Sequence, residues 1–145
     1  MAKEIIQELN GILADLTVFY QKLRHYHWNI KGPQFFQLHE KYELVYTELG
    51  DTIDALAERI VGLDGVPLHT LAQMLEATSL EEDAELPAGS VMVSRTIADI
   101  DVLTEKLAGA IEAAEKAEDR TTTNLLDETK DSLEAHLWMY KAWQQ

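Results

Sequence analysis

The chain has 145 residues, 46% of them hydrophobic and 26% charged, which suits one domain with its own core. Its formal net charge of −14, with no basic cluster to offset it, opposes binding to a phosphate backbone and makes cations the more natural partners. Because cysteine is absent, disulfides and thiolate metal sites are excluded. We expect a cytoplasmic protein with no membrane span, since no apolar run approaches roughly 18 residues.

The first half of the chain predicts two long helices. In the first, apolar residues recur at alternating spacings of four and three. Gly32-Pro33 interrupts this pattern, and we expect Pro33 in the first turn of the second helix. That helix should end at Gly62, because the turn signals Asp64-Gly65 follow. The apolar positions of the first helix are Ile5, Leu9, Ile12, Leu16, Phe19 and Leu23.

The second half predicts a long connection and two further helices. Residues 68–77 indicate a short helix within the connection, and residues 79–90, with four acids and a Pro-Ala-Gly sequence, indicate a loop. Glu118-Asp119-Arg120 separates the third long helix from the fourth. Short, long and short connections predict an all-α fold, a ferritin-like four-helix bundle with an extra short helix between helices two and three. We expect residues 1–145 to form this single domain.

Two histidines flank the Gly32-Pro33 break at equal distances. His27 lies six residues before Pro33 and His39 six residues after it. If the first two helices pack antiparallel, each histidine lies ~9 Å from the turn, at ~1.5 Å per residue, so both reach the same level. Either histidine alone would suit a packed or surface position. Together with nearby acids they predict a metal site.

Carboxylates at helical spacing complete the candidate site. Glu43 follows His39 by four residues, and Asp54 and Glu58 repeat that spacing, so each pair shares a helix face. Fifteen residues separate His39 from Asp54, which is ~22 Å along a helix. A single chain therefore cannot bring both pairs to one metal, where ligand distances are ~2.0–2.3 Å.

Two copies of the second helix, crossing antiparallel about a two-fold axis, can bring the pairs together. In such a crossing, residues that face each other have numbers with a constant sum. His39 and Glu58 have the same sum as Glu43 and Asp54. His39 then faces the partner subunit's Glu58, and Glu43 faces the partner subunit's Asp54. The implied axis passes beside Gly50, where the missing side chain permits close approach. Each of two equivalent sites would contain His27, His39 and Glu43 from one subunit and Asp54 and Glu58 from the other.

This set of donors indicates which metal would bind. Two imidazoles and three carboxylates, without thiolate, suit a divalent first-row ion with open positions, Fe(II) or Mn(II) above all. Five ligands hold one metal well or two loosely. Open positions on iron would admit dioxygen or peroxide.

Two motifs in these segments carry a family resemblance. The pattern H-W-x-x-x-G-P-x-F-F-x-L-H-E-K-x-E and the later D-x-L-A-E-R-I resemble the Dps family, the mini-ferritins named as DNA-binding proteins from starved cells. The likeness extends over nearly the whole chain, to the closing H-L-W-M-Y-K-A-W. It implies a homo-oligomeric shell of twelve subunits with ferroxidase sites at two-fold interfaces. Matched onto this chain, the ligands are His27, His39 and Glu43 of one subunit with Asp54 and Glu58 of its neighbour.

The resemblance also implies a reaction and a cargo. The protein would oxidise Fe(II), with hydrogen peroxide preferred over dioxygen, and would store the ferric mineral inside the shell, while zinc or manganese could substitute for iron. Trp28, next to His27, would intercept stray oxidising equivalents. Glu43 stands where the family often has Asp, so it would bind the metal directly or through water.

Two alternatives belong to other functional classes. One is a DNA-binding, nucleoid-protecting shell with incidental metal binding. Family members that bind DNA usually use a Lys/Arg-rich tail, and this chain has only Lys3 before its first helix, so we expect no DNA binding. The other alternative, a helical-bundle interaction protein, predicts that no metal binds at all.

Overall fold

The computed structural model describes residues 2–145, which fold into five helices. In the bundle of four long helices, α1 packs along α2 and α4, α4 packs along α5, and the short helix covers part of α1. The predicted all-α, ferritin-like four-helix bundle with a short helix in its long connection is confirmed. No helix of the described chain is long and apolar enough to cross a membrane. The helices are α1 (Ala2–Asn29), α2 (Phe35–Gly62), α3 (Leu71–Ala77), α4 (Gly89–Lys116) and α5 (Arg120–Gln144).

The predicted apolar stripes form the core, together with three buried tyrosines, Tyr26, Tyr42 and Tyr140. The Tyr42 hydroxyl lies 3.1 Å from the Thr96 hydroxyl. The Tyr140 hydroxyl has no hydrogen-bond partner among residues 2–145, although only 1% of this residue is exposed. The α1 stripe is fully buried at Leu9, Ile12, Leu16, Phe19 and Leu23, and the α2 stripe at Leu38, Tyr42, Val45, Leu49, Leu56 and Ile60.

The start of α2 differs from the prediction for Pro33. The helix begins at Phe35, and Pro33 lies in the preceding turn, which the Phe35 N–H closes by donating to the Gly32 carbonyl at 3.0 Å. Gly32 has a φ of 100°, a left-handed conformation that favours glycine. The proline thus contributes to the turn between α1 and α2 rather than to the first turn of the helix.

The boundaries of α3 and α4 also depend on local contacts. Helix α3 begins at Leu71 because Thr70 and Gln73 form a capping box, in which each side chain accepts a hydrogen bond from the backbone of the other. Helix α4 begins at Gly89, inside the predicted loop of residues 79–90. A Cβ at Gly89 would lie 2.9 Å from Cδ1 of Ile30, so glycine lets α4 start against the α1–α2 turn.

Asp15 fixes the long connection to α1. Its residue exposure is 0%, and its Oδ1 accepts hydrogen bonds at 2.7 Å from both the Thr78 hydroxyl and the Ser79 N–H. Its Oδ2 lies 2.8 Å from Nζ of Lys106 on α4. One buried carboxylate therefore joins α1, the segment that follows α3, and α4.

Asp83 is a second anchor of the same connection. Its Oδ2 accepts from the Tyr26 hydroxyl at 2.6 Å and from the Arg95 guanidinium at 2.9 Å, and its Oδ1 accepts from the Glu85 N–H at 2.9 Å. Burial alone would raise the pKa of this carboxyl group. The three donors and the positive charge of Arg95 outweigh burial and lower the pKa of Asp83 to about 2.

We expect Asp83 to make the fold weaken in acid. Because the pKa is lower in the folded state than in the unfolded chain, the carboxylate stabilises fully above about pH 4, and this stabilisation is lost as the pH falls towards 2. Replacing Asp83 by Asn should remove about 1 kcal/mol of the pH dependence of the unfolding free energy in that window, after allowance for solvent screening. Urea unfolding at a series of pH values measures it, with the exposed substitution Asp127→Asn as control. An unchanged slope for Asp83→Asn would contradict this role.

Candidate metal site

The turn between α1 and α2 brings His27 and His39 together. Their rings stack with centroids 3.8 Å apart and planes inclined by 13°. Nδ1 of His27 lies 2.6 Å from the main-chain oxygen of His39, and Nδ1 of His39 lies 2.7 Å from the main-chain oxygen of His27. The two side chains therefore meet at one level of the hairpin, where counting residues from the turn predicts them.

These reciprocal hydrogen bonds determine which ring nitrogens carry protons. A carbonyl oxygen only accepts, so each Nδ1 must be protonated and donate. Nε2 of each neutral ring then keeps its lone pair, which is the tautomer of a metal ligand whose other nitrogen is held by a hydrogen bond. Phe35 also stacks on His39, with centroids 4.7 Å apart. Both imidazoles are thus oriented by the main chain and by aromatic packing.

Glu43 lies one turn after His39 on α2. Its Oε1 is 3.6 Å from Nε2 of His27, which is too long for a hydrogen bond. The separation does fit two ligands of one metal ion that lies ~2.0–2.2 Å from each. The Glu43 side chain is 58% exposed and has room to adjust. His27, His39 and Glu43 form what we call the histidine half-site.

The second acid pair lies further along α2, and both of its side chains are exposed. The neighbouring carboxyl group of Asp54 raises the pKa of Glu58, because it favours the protonated form of Glu58 through a shared proton and through its own negative charge. Two carboxylates that compete for one proton favour a cation between them. We call Asp54 and Glu58 the acid half-site.

The two half-sites do not meet within one chain. Helix α2 is continuous from Phe35 to Gly62, so His39 and Asp54 are separated by ~22 Å along one axis. Within residues 2–145, no group of three or more His, Asp or Glu side chains could hold a metal ion by itself. A complete site would therefore need ligands from a second molecule.

Gly50 lies on α2 between the half-sites. A Cβ at this position would lie 3.7 Å from Cε2 of Tyr20, which is an ordinary van der Waals contact. Packing within the chain therefore does not require glycine here. The close approach of a second α2 beside Gly50 stays a prediction from the sequence.

Trp28 lies beside the histidine half-site rather than within it. The indole is 56% exposed, and the Arg24 guanidinium lies 4.9 Å from its ring centroid. Besides His39, the aromatic ring that packs on the imidazole of His27 is that of Tyr46, with centroids 5.4 Å apart and planes at 77°. Sequence reasoning did not identify Tyr46. Its position three residues after Glu43, on the same face of α2, was the available signal.

Comparisons with known proteins agree with this fold. A family model described as a ferritin-like domain matches residues 6–145. DNA protection during starvation protein 2 of Bacillus anthracis is 39% identical over 143 residues, which cover 99% of this chain and 98% of that protein. The crystal structure of a Dps protein from Bacillus brevis superposes with a TM-score of 0.97 and 39% identity, and the match covers 99% of this chain and 97% of that one.

A structure of lower sequence identity carries a description of its chemical class. Dps from Vibrio cholerae O1, described as a member of a broad superfamily of ferritin-like diiron-carboxylate proteins, superposes with a TM-score of 0.96 at 33% identity. The match covers 99% of this chain and 91% of that one. Because the match in sequence and structure extends over nearly the full length of these proteins, the chain belongs to the Dps family of ferritin-like proteins.

Proposed function

We propose that this protein stores and detoxifies iron, acting as a ferroxidase that oxidises Fe(II) with hydrogen peroxide or dioxygen. The observation that carries the proposal is the histidine half-site, in which the main chain orients two imidazoles as ligands and Glu43 lies 3.6 Å from one of them. The ferric product would be stored inside a hollow shell of twelve subunits. The working location would be the cytoplasm, where a reducing environment keeps iron ferrous until an oxidant arrives.

The proposed site is shared between two subunits. His27, His39 and Glu43 of one subunit would bind iron together with Asp54 and Glu58 of the partner subunit, in the antiparallel arrangement of α2 that Gly50 permits. Neutral imidazoles and carboxylates suit Fe(II), and the same donors would accept zinc or manganese. Two such sites per pair of subunits would hold one or two irons each.

The reaction would avoid releasing a free radical. Hydrogen peroxide takes up two electrons and two protons to form two waters, and two Fe(II) ions supply both electrons. One-electron reduction would instead release hydroxyl radical. Trp28, exposed beside His27, would intercept oxidising equivalents that leave the site. The net charge of −14 would attract iron to the protein.

Anaerobic loading with Fe(II), followed by peroxide, tests this function. Ferric absorbance should rise rapidly in the wild type and much more slowly in the double variant with His39→Ala and Glu58→Ala, because both half-sites then lack a ligand. His69→Ala is the control, since this histidine is exposed and its side chain hydrogen-bonds within its own loop, with Nδ1 3.0 Å from the Pro67 carbonyl oxygen. If the double variant oxidised iron at the wild-type rate, the proposed site would be wrong.

A second candidate function is DNA protection, which the name of the Bacillus anthracis relative favours. The balance of 12 basic against 26 acidic residues opposes it for this chain. We therefore expect the protein to leave plasmid DNA unretarded in a gel-shift at low salt. Retardation would favour the alternative of a DNA-binding shell.

A further inference from the structure

We propose that Tyr46 supplies one electron to peroxide, so that a site holding a single Fe(II) still reduces peroxide by two electrons. This inference rests on the proposed ferroxidase function. The half-buried ring of Tyr46 packs edge-on against the imidazole of His27, with centroids 5.4 Å apart and planes at 77°. Tyr46 is therefore the redox-active side chain in contact with a proposed iron ligand.

Tyr46 is also the first member of a column of aromatic groups. Tyr20 packs edge-on against it, with centroids 5.7 Å apart and planes at 83°. The Arg24 guanidinium then lies 5.4 Å from the ring centroid of Tyr20 and 4.9 Å from that of Trp28. An oxidising equivalent that leaves the site through His27 meets Tyr46 before either of the outer rings.

The charge of Arg24 favours Tyr46 over the outer rings as the electron donor. A cation over an aromatic ring is attracted to the negative face of that ring, and this attraction is lost when the ring gives up an electron. Oxidation of Tyr20 or Trp28 is therefore less favourable than oxidation of Tyr46, so Trp28 would intercept only the oxidising equivalents that pass Tyr46. No arginine or lysine lies over the ring of Tyr46 in the described part of the chain. The ring of Tyr46 is thus in contact with the ligand and lacks the cation that disfavours oxidation of Tyr20 and Trp28.

The electrons and atoms of this reaction balance in two steps. First, one Fe(II) and the phenol of Tyr46 each give one electron to hydrogen peroxide. The phenolic proton and one proton from solvent complete two waters, which leaves Fe(III) and a neutral tyrosyl radical. Second, another Fe(II) reaching the site reduces the radical, which takes up a proton and becomes a phenol again. Two Fe(II) ions are oxidised for each peroxide, and no hydroxyl radical forms.

Electron paramagnetic resonance tests the proposal directly. Full-length protein is loaded anaerobically with one Fe(II) per site, mixed with peroxide and frozen. The wild type should show a tyrosyl radical whose hyperfine structure narrows when its tyrosines are ring-deuterated. Tyr46→Phe should lose most of this signal and release more hydroxyl radical to a spin trap. Tyr140→Phe is the matched control, because its buried hydroxyl has no partner among residues 2–145, and it should keep the wild-type signal.

Two further variants make the test specific. Tyr46→Trp keeps an oxidisable ring at this position, so it should replace the tyrosyl signal by a tryptophanyl one and keep the hydroxyl-radical yield low. Arg24→Gln should move part of the signal to Tyr20 or Trp28, since their rings lose the cation. A wild-type radical yield in Tyr46→Phe, or iron oxidation by the wild type without any radical, would overturn the role of Tyr46 and leave the ferroxidase function standing. A wild type that oxidises no Fe(II) would overturn both.

Discussion

Two inactive variants, His39→Ala and Glu58→Ala, should recover iron oxidation when they are dissociated, mixed and reassembled. Each variant alone lacks a ligand in every site, because every site draws one half from each of two subunits. A mixed pair of subunits has one site in which both halves are intact and one site in which both are damaged. The recovery follows from the division of the site and requires no new contact.

The size of this recovery is fixed by counting sites. Random pairing of equal amounts makes half of the pairs mixed, so about a quarter of all sites are intact, and the initial rate of ferric absorbance after peroxide should reach about a quarter of the wild-type rate. The pair His27→Ala and His39→Ala is the control, because both residues belong to the same half-site and mixing should restore nothing. Equal recovery in both mixtures, or none in either, would show that the site is not divided in this way.

Replacing Asp15 by Ala should destabilise the fold more than any surface substitution. The carboxylate is fully buried, and its removal leaves the Thr78 hydroxyl and the Ser79 N–H without their acceptor. Lys106 would lose its carboxylate partner at 2.8 Å and keep its hydrogen bond to the Ser79 hydroxyl. Each buried donor that is left without an acceptor typically costs ~1–3 kcal/mol, so we expect the free energy of unfolding to fall by ~2–6 kcal/mol.

Urea unfolding at matched subunit concentration measures the loss, since assembly itself stabilises each subunit. Lys106→Met is the informative control, because this side chain is 34% exposed and its removal leaves the hydrogen bonds that Thr78 and Ser79 donate to Asp15 in place. It should cost about 1 kcal/mol, as expected for a partly solvated ion pair. If Asp15→Ala cost no more than Lys106→Met, the connection would not depend on the buried carboxylate.

The bundle itself could be predicted from sequence because its cause is local. Apolar residues at spacings of three and four define a buried stripe on each helix, and those stripes are the observed core. Helix ends were less predictable. Helix α2 ends at Gly62 as predicted, but the left-handed residue that follows is Asp64, with a φ of 64°, and not a glycine. Gly65 instead permits close packing, since a Cβ there would lie 2.9 Å from Ile6, a contact between residues distant in sequence.

The same distinction applies to the candidate site. The level of His27 and His39 follows from counting residues on either side of a turn, and the structure places the two rings in contact. The sequence around Asp15 does not distinguish it from a surface acid. Its partners Thr78, Ser79 and Lys106 are distant in the chain, so its buried contacts could not be predicted. The role of Tyr46 could not be predicted for a similar reason. Its contact with His27 depends on how α1 is rotated against α2, and spacing along one helix does not determine that rotation.

The anchoring of the two imidazoles has a consequence for how the ligand set can change. The two rings stack, but the hydrogen bond that orients each ring goes to the main-chain oxygen of the other residue and does not depend on the other side chain. Replacing either histidine by another amino acid removes one ligand but leaves the carbonyl that orients the remaining ring. A single substitution in the hairpin can therefore change one metal ligand while the other ligand keeps its hydrogen bond. The metal preference of the site can change in single steps, without loss of the remaining ligand's orientation.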